Sequence, residues 1–253
     1  MGKYELTDEK IQCGNHTLYR IKAIKDFGNI KKDKLGGFIE SEYNLSQKGN
    51  AWVHGNAMVF GYAQVFGDAE IYDNAQIYEN AKIYENAMVC NNVRIRGDAL
   101  VFGNARILKD AQVYGNAWIC NKALISGKAI VCEDSEIDDY VQVLGNAKVC
   151  GNAGVHDNSI ISGGIVYGCA CICGNAIIKE ISDYIVFKNF WSSGRYFTYT
   201  RSNKMWSVGC FYGTGDQLIE KAYKDSEISG RNYERIVRYV EEVEEKEFKS
   251  IKE

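Results

Sequence analysis

With 253 residues and a net charge of −3, the chain carries no cationic excess for wrapping a polyanion, which excludes bulk nucleic-acid binding as its function. No apolar run reaches the roughly 20 residues of a membrane-crossing helix, and no charged-then-apolar leader opens the chain. Nine cysteines without an export signal read as reduced thiols, so the expected location is cytoplasmic.

In chain order, residues 1–36 are expected to form a β cap. Lys10-Ile11-Gln12-Cys13 and Thr17-Leu18-Tyr19-Arg20-Ile21 flank Gly14-Asn15, a hairpin turn. Residues 37–180 then carry a six-residue period. It starts irregularly at Ile39 and Leu45, and from Val53 to Ile161 every sixth residue is Val or Ile. Ala stands two residues before most of these, preceded by Gly with Asn or Asp, as in Gly55-Asn56-Ala57 and Gly67-Asp68-Ala69. A period of six fits neither a helix nor a long strand; it predicts a triangular parallel solenoid, three hexads to a turn. The aliphatic residues point inward and stack eighteen apart, as in the column Val53, Ile71, Val89, Ile107, Ile125, Val143 and Ile161. About seven turns at the usual strand spacing of ~4.8 Å give a prism roughly 34 Å tall. Proline is absent from the whole chain, which suits strands that all donate to a neighbour.

The residues after the inward aliphatics predict outward ladders, one of them Phe60, Tyr78, Arg96, Tyr114, and another Phe66, Tyr84, Phe102, Cys120. Such ladders exceed an ordinary surface patch and are read as subunit interfaces. The period slips by one residue at Gly163-Gly164, resumes at Val166, Ile172 and Ile178, and ends near Lys179. Residues 181–253 are expected to form a small α+β domain on top of the prism. Its strands are Tyr184 to Phe190, Arg195 to Thr200 and Met205 to Phe211, with a hairpin at Ser202-Asn203-Lys204. One helix opens at Gly213-Thr214-Gly215-Asp216 and runs to about Asp225. A second follows Ser229, with Tyr233, Ile236, Val237, Val240 and Val243 on one stripe and a solvated acidic end from Glu241 to Glu247.

Hexads such as Val113-Tyr114-Gly115-Asn116-Ala117-Trp118 and Val143-Leu144-Gly145-Asn146-Ala147-Lys148 resemble the hexapeptide repeats of left-handed parallel β-helix proteins, which include many acyltransferases. The phrases Asp26-Phe27-Gly28-Asn29-Ile30 and Leu35-Gly36-Gly37-Phe38-Ile39 look like the opening of bacterial and phage-borne repeat proteins labelled transferases on repeat content. The resemblance implies a left-handed coil, a parallel homotrimer about the solenoid axis, and a phage- or prophage-encoded accessory protein.

Three places can carry chemistry. In the C-terminal domain, Trp191, Arg195, Tyr196, Tyr199, Arg201, Lys204 and Trp206 interleave aromatic and basic groups, and Thr214 precedes a helix. That mixture suits stacking on a base and pairing with a phosphate, hence a small anionic, nucleotide-like ligand. The same residues also read as an aromatic mini-core, with Thr214 or Asp216 as a helix cap. Second, Asp138, His156 and Cys173 fall in successive turns on one face, the residue types of a carboxylate, a base and a nucleophile. Third, the resemblance implies a transferase taking acyl-CoA, with His156 or His54 as base; yet no loop leaves the repeat to wall a pocket. No metal or other cofactor is expected, because no Cys-x-x-Cys pair occurs and packing explains Cys169, Cys171 and Cys173. The leading expectation is a non-catalytic binding protein. The alternatives are the acyltransferase and a structural oligomer that docks a protein partner through its C-terminal domain.

Overall fold

The computed structural model describes residues 2–250, with side chains as far as Lys246, so Glu247 of the acidic helix end lies outside the described side chains. From Trp52–Val53 to Ile160–Ile161 a two-residue strand recurs every six residues, and three more follow at Ile165–Val166, Cys171–Ile172 and Ile177–Ile178. They stack in parallel into three sheets, with each residue opposite the one eighteen later, as Val89 opposite Ile107 and Ile107 opposite Ile125. The predicted slip appears as the pairing of Val149 with Val166. The solenoid has about eight turns, against the seven expected. The difference arises at its start, where strand Leu35–Ile39 already pairs in parallel with Met58–Val59.

Why this sequence turns every six residues is visible at the corners. Gly97 sits at φ 74°, and a Cβ there would lie 2.7 Å from the backbone N of Gly115 in the next turn. Only glycine takes that conformation and that approach without strain. Other corners hold Asp, Asn or Glu at positive φ, among them Asp73, Glu79 and Asn91. These recover part of the strain by bonding to the next turn: Gly97 N–H donates to Glu79 Oε2 at 2.8 Å and Gly151 N–H to Glu133 Oε2 at 2.8 Å. Inside, the Val, Ile and Ala columns form one continuous buried core. Dispersion and burial along these columns hold the turns together, each turn supported by its neighbours.

Both ends are closed by the chain itself. Strands Tyr4–Cys13 and His16–Ala23 form the predicted hairpin, with Gly14 at φ 58°, and extend one solenoid sheet through Leu35–Ile39. Tyr4, Ile21, Ile30 and Trp52 plug the core beneath the first turn. The same hairpin lays Leu18 and Ile11 over Phe38, Phe60 and Tyr78. The lower rungs of one aromatic ladder, read from sequence as a subunit interface, are therefore covered within the chain. On the next face Phe66, Tyr84 and Phe102 stack at 4.9 and 4.8 Å, and Trp118 above them is exposed.

At the top stands a four-stranded antiparallel sheet of Tyr184–Lys188, Tyr196–Thr200, Met205–Val208 and Phe211–Gly213, followed by helices α1 (Gly215–Asp225) and α2 (Glu227–Ser250). The expected single strand Met205 to Phe211 is broken at Gly209, which turns at φ 56°. Helix α2 starts at Glu227, ahead of the expected boundary at Ser229. Tyr233, Val237 and Val240 of its apolar stripe are buried against Phe197, Trp206 and Leu218. The last solenoid strands have no further turn to receive their amides, and hydroxyls of this domain take that role. Cys171 N–H donates to Thr198 Oγ1 at 2.9 Å and Ile177 N–H to Ser202 Oγ at 2.7 Å. Among the described residues no helix is long and apolar enough to cross a membrane.

Candidate functional site

Side chains alternate across a strand, so the residues before and after each inward aliphatic both face outward. On one sheet this brings six positions together over three turns. Ile137, Val155 and Ile172 point inward and pair in sequence. Outside them lie Glu136 and Asp138, then Gly154 and His156, then Cys171 and Cys173. Gly154 shapes the group: a Cβ at this position would lie 2.6 Å from His156 Nε2. The imidazole therefore leans over the bare backbone of Gly154, between Glu136 below and Cys171 above.

Donor atoms of Glu136, Asp138 and His156 all lie within 4.8 Å of one another. Asp138 Oδ1 accepts from Cys120 Sγ at 3.0 Å, from Asn121 Nδ2 at 2.6 Å and from the Asp139 amide at 2.6 Å. Burial works against its charge, but these hydrogen bonds, with that of Cys120 foremost, hold its carboxyl below the usual range. On the other side Cys171 Sγ stands 3.4 Å from Cys173 Sγ, which in turn is 3.6 Å from Ser207 Oγ of the C-terminal sheet. The bond to Cys173 pulls the Cys171 thiol down to about 4 against its burial, with His156 adding to the effect. Cys173 moves up, because its neighbour takes the negative charge first. His156 is raised by its hydrogen bond to Cys171, and the nearby carboxylates of Glu136 and Asp138 add to that.

Of the residues read from sequence, Asp138, His156 and Cys173 do share this face, but the thiol opposite Gly154, over which the imidazole leans, is that of Cys171. Cys171 and Glu136 were missed because only the residues following each aliphatic were counted. His54 is far along the chain on a different sheet, stacked on Tyr72 at 4.1 Å with Glu70 Oε1 3.9 Å from its Nε2. Burial lowers its pKa.

The interleaved residues of the C-terminal domain are dispersed. Tyr199 and Trp206 are 5% and 2% exposed and belong to the domain core, against which Trp191 packs. Trp191 meets Tyr233 edge-on at 5.0 Å. Thr214 caps α1, its hydroxyl accepting from Gln217 N–H at 3.3 Å while the Gln217 side chain accepts from Thr214 N–H at 2.9 Å. Arg201 pairs with Glu244 at 2.7 Å. Tyr196 is exposed, with the Lys188 ammonium 5.4 Å from its ring centre. Lys204 borders a hollow otherwise lined by Tyr199, Glu241, Glu244 and Glu245, an acidic wall that disfavours an anion. Arg195 lies elsewhere, on a cavity of about 380 Å³ between the sheet and α1. There Lys221, Ser193 and Tyr233 join it, with Phe211 and Leu218 as apolar wall and Asp225 as the one carboxylate. Neither the protein-family models nor the curated proteins compared with this chain give a match.

Proposed function

We propose that the protein is a non-catalytic binding protein that holds a small anionic, nucleotide-like ligand in the Arg195 cavity of its C-terminal domain. The observation that carries this reading is the pairing of two exposed cations, Arg195 and Lys221, with hydroxyl donors and an apolar wall around about 380 Å³. Cations and hydroxyls suit a phosphate or carboxylate, and the wall of Phe211 and Leu218 suits a flat ring. The solenoid is the rigid platform, left-handed as in the repeats it resembles. The exposed Phe66 and Trp118, on neighbouring rows of one face, support its assembly as a homotrimer. Strands recur without excursion from Trp52 to Ile161, leaving the pantetheine arm of acyl-CoA no loop to lie against, which favours binding over acyl transfer.

The test is calorimetric titration with AMP and with inorganic phosphate, on wild type and on Arg195→Ala and Lys221→Ala. A charge-assisted hydrogen bond contributes about 1.5–3 kcal/mol, so each substitution is expected to weaken AMP binding by about tenfold or more. The reading fails if neither probe binds below about 1 mM, or if both variants bind as wild type does. Native mass spectrometry on protein taken directly from cells reads subunit number and retained ligand together, and a monomer there removes the trimer.

A further inference from the structure

We propose that Glu136, Asp138 and His156 form a binding site for a divalent transition-metal ion of the zinc type. Three donors of different residues already converge within 4.8 Å. Ligands at about 2.0–2.2 Å on a tetrahedral ion stand roughly 3.3–3.6 Å apart, so small side-chain rotations close the set. Four further observations favour an ion over a chance surface cluster.

The donors are mounted on consecutive turns of one parallel sheet, whose strand spacing fixes their backbones. Gly154 is the one residue without a side chain in the row that runs Trp118, Glu136, Gly154, Cys171, and its bareness is what admits the imidazole. Asp138 is oriented by three hydrogen bonds that all fall on Oδ1, which leaves Oδ2 for an ion, as supporting bonds do around ligating carboxylates. Finally, the imidazole decides the class of ion. Imidazole with carboxylates suits Zn²⁺ or Co²⁺ and disfavours Mg²⁺ and Ca²⁺, which take oxygen throughout. Binding releases to solvent the proton of the ligating imidazole nitrogen, where it carries one, and involves no redox change.

The experiment is a Co²⁺ absorption titration of the full-length protein stripped with chelator, followed by Zn²⁺ displacement. Expected are tetrahedral visible bands, abolished by excess Zn²⁺. His156→Ala and Asp138→Asn should weaken Co²⁺ binding by about tenfold or more, the range seen for lost ligands or their supports. Circular dichroism confirms that each variant is folded. The proposal is overturned if wild type takes up neither ion at about 100 μM, a weak-site threshold. It is overturned equally if His156→Ala and Asp138→Asn bind as wild type does.

Discussion

Lys3 gives a prediction whose sign changes with pH. Its side chain is 1% exposed, and its ammonium donates to the carbonyls of Ala51 at 2.7 Å, Gly49 at 3.2 Å and Lys48 at 3.5 Å. One turn higher, the carbonyls of Gly67 and Ala69 accept from the amides of Ala51 and Trp52. Lys3 thus stands in for the turn that the solenoid lacks at its lower end. Burial lowers its pKa from an ordinary 10.5 to about 8. Between those values the unfolded chain binds more protons than the native one, so stability rises with pH; below about 8 the penalty of the buried charge is present in full. Integrated from pH 7 to pH 10, this amounts to about 2.5 kcal/mol. Lys3→Met removes both the charge and the donors. At pH 10 about 0.8 kcal/mol of the penalty remains, and set against the about 1–3 kcal/mol of an orphaned buried carbonyl it leaves wild type the more stable by up to about 2 kcal/mol. At pH 7 the two effects oppose, and the buried charge, about 3 kcal/mol, outweighs the donors, so wild type should be the less stable by up to about 2 kcal/mol. The assay is urea unfolding of both proteins at the two pH values, read as the difference between them, which cancels the other titrating groups. A wild-type-minus-variant difference constant within about 0.5 kcal/mol over this window would refute the reasoning, because the carbonyls would then fully compensate the buried charge.

Other substitutions separate fold from site. Gly154→Ala puts a methyl 2.6 Å from His156 Nε2, and the ring is free to swing outward. Co²⁺ affinity should fall by about tenfold while the urea midpoint moves little, since a side-chain end yields more easily than backbone. Ile107→Ala removes a fully buried side chain from the middle of a column and should destabilise by about 2–5 kcal/mol in urea unfolding, whereas Arg106→Ala next to it, on the exposed face, should change stability by less than about 0.5 kcal/mol.

The solenoid was legible because one rule decides every turn. A residue at an inward position meets the same neighbours eighteen before and after, so Val and Ile recur there and nowhere so regularly outside. The slip at Gly163-Gly164 was legible for the same reason. The site was half legible. Counting eighteens aligned Asp138 with His156, but the second outward row holding Glu136 and Cys171 needed the alternation on both sides of each aliphatic. Its signal was Gly154, a residue without a side chain where the sheet otherwise places one. The C-terminal aromatics were not separable from a ligand site by sequence. Thr198 and its neighbours Phe197 and Tyr199 are all buried because the strand is covered on both faces, by the solenoid's last turn and by the helices. Alternation of polar and aromatic residues reads the same whether the polar face meets a ligand or, as here, a hydroxyl meets an orphan amide.

A repeating core frees the outer surface of constraint, and chemistry can then gather only where the repeat is locally altered. Three alterations coincide near the top of this solenoid: the bare Gly154, the shortened turn at Gly163-Gly164, and the thiols at Cys171 and Cys173. The shortened turn still sets Cys171 opposite Gly154, so the slip leaves the row in register. The C-terminal domain docks at this same level, with Ser207 against Cys173 and Thr198 against the amide of Cys171. Arg195, on the proposed anion cavity, immediately precedes the strand Tyr196–Thr200 that carries Thr198. The two candidate sites are therefore joined by one strand whose far face is held by the final solenoid turn. Rigidity at that junction serves both: it fixes the donors around His156 and keeps the cavity walls in place, each without a dedicated loop.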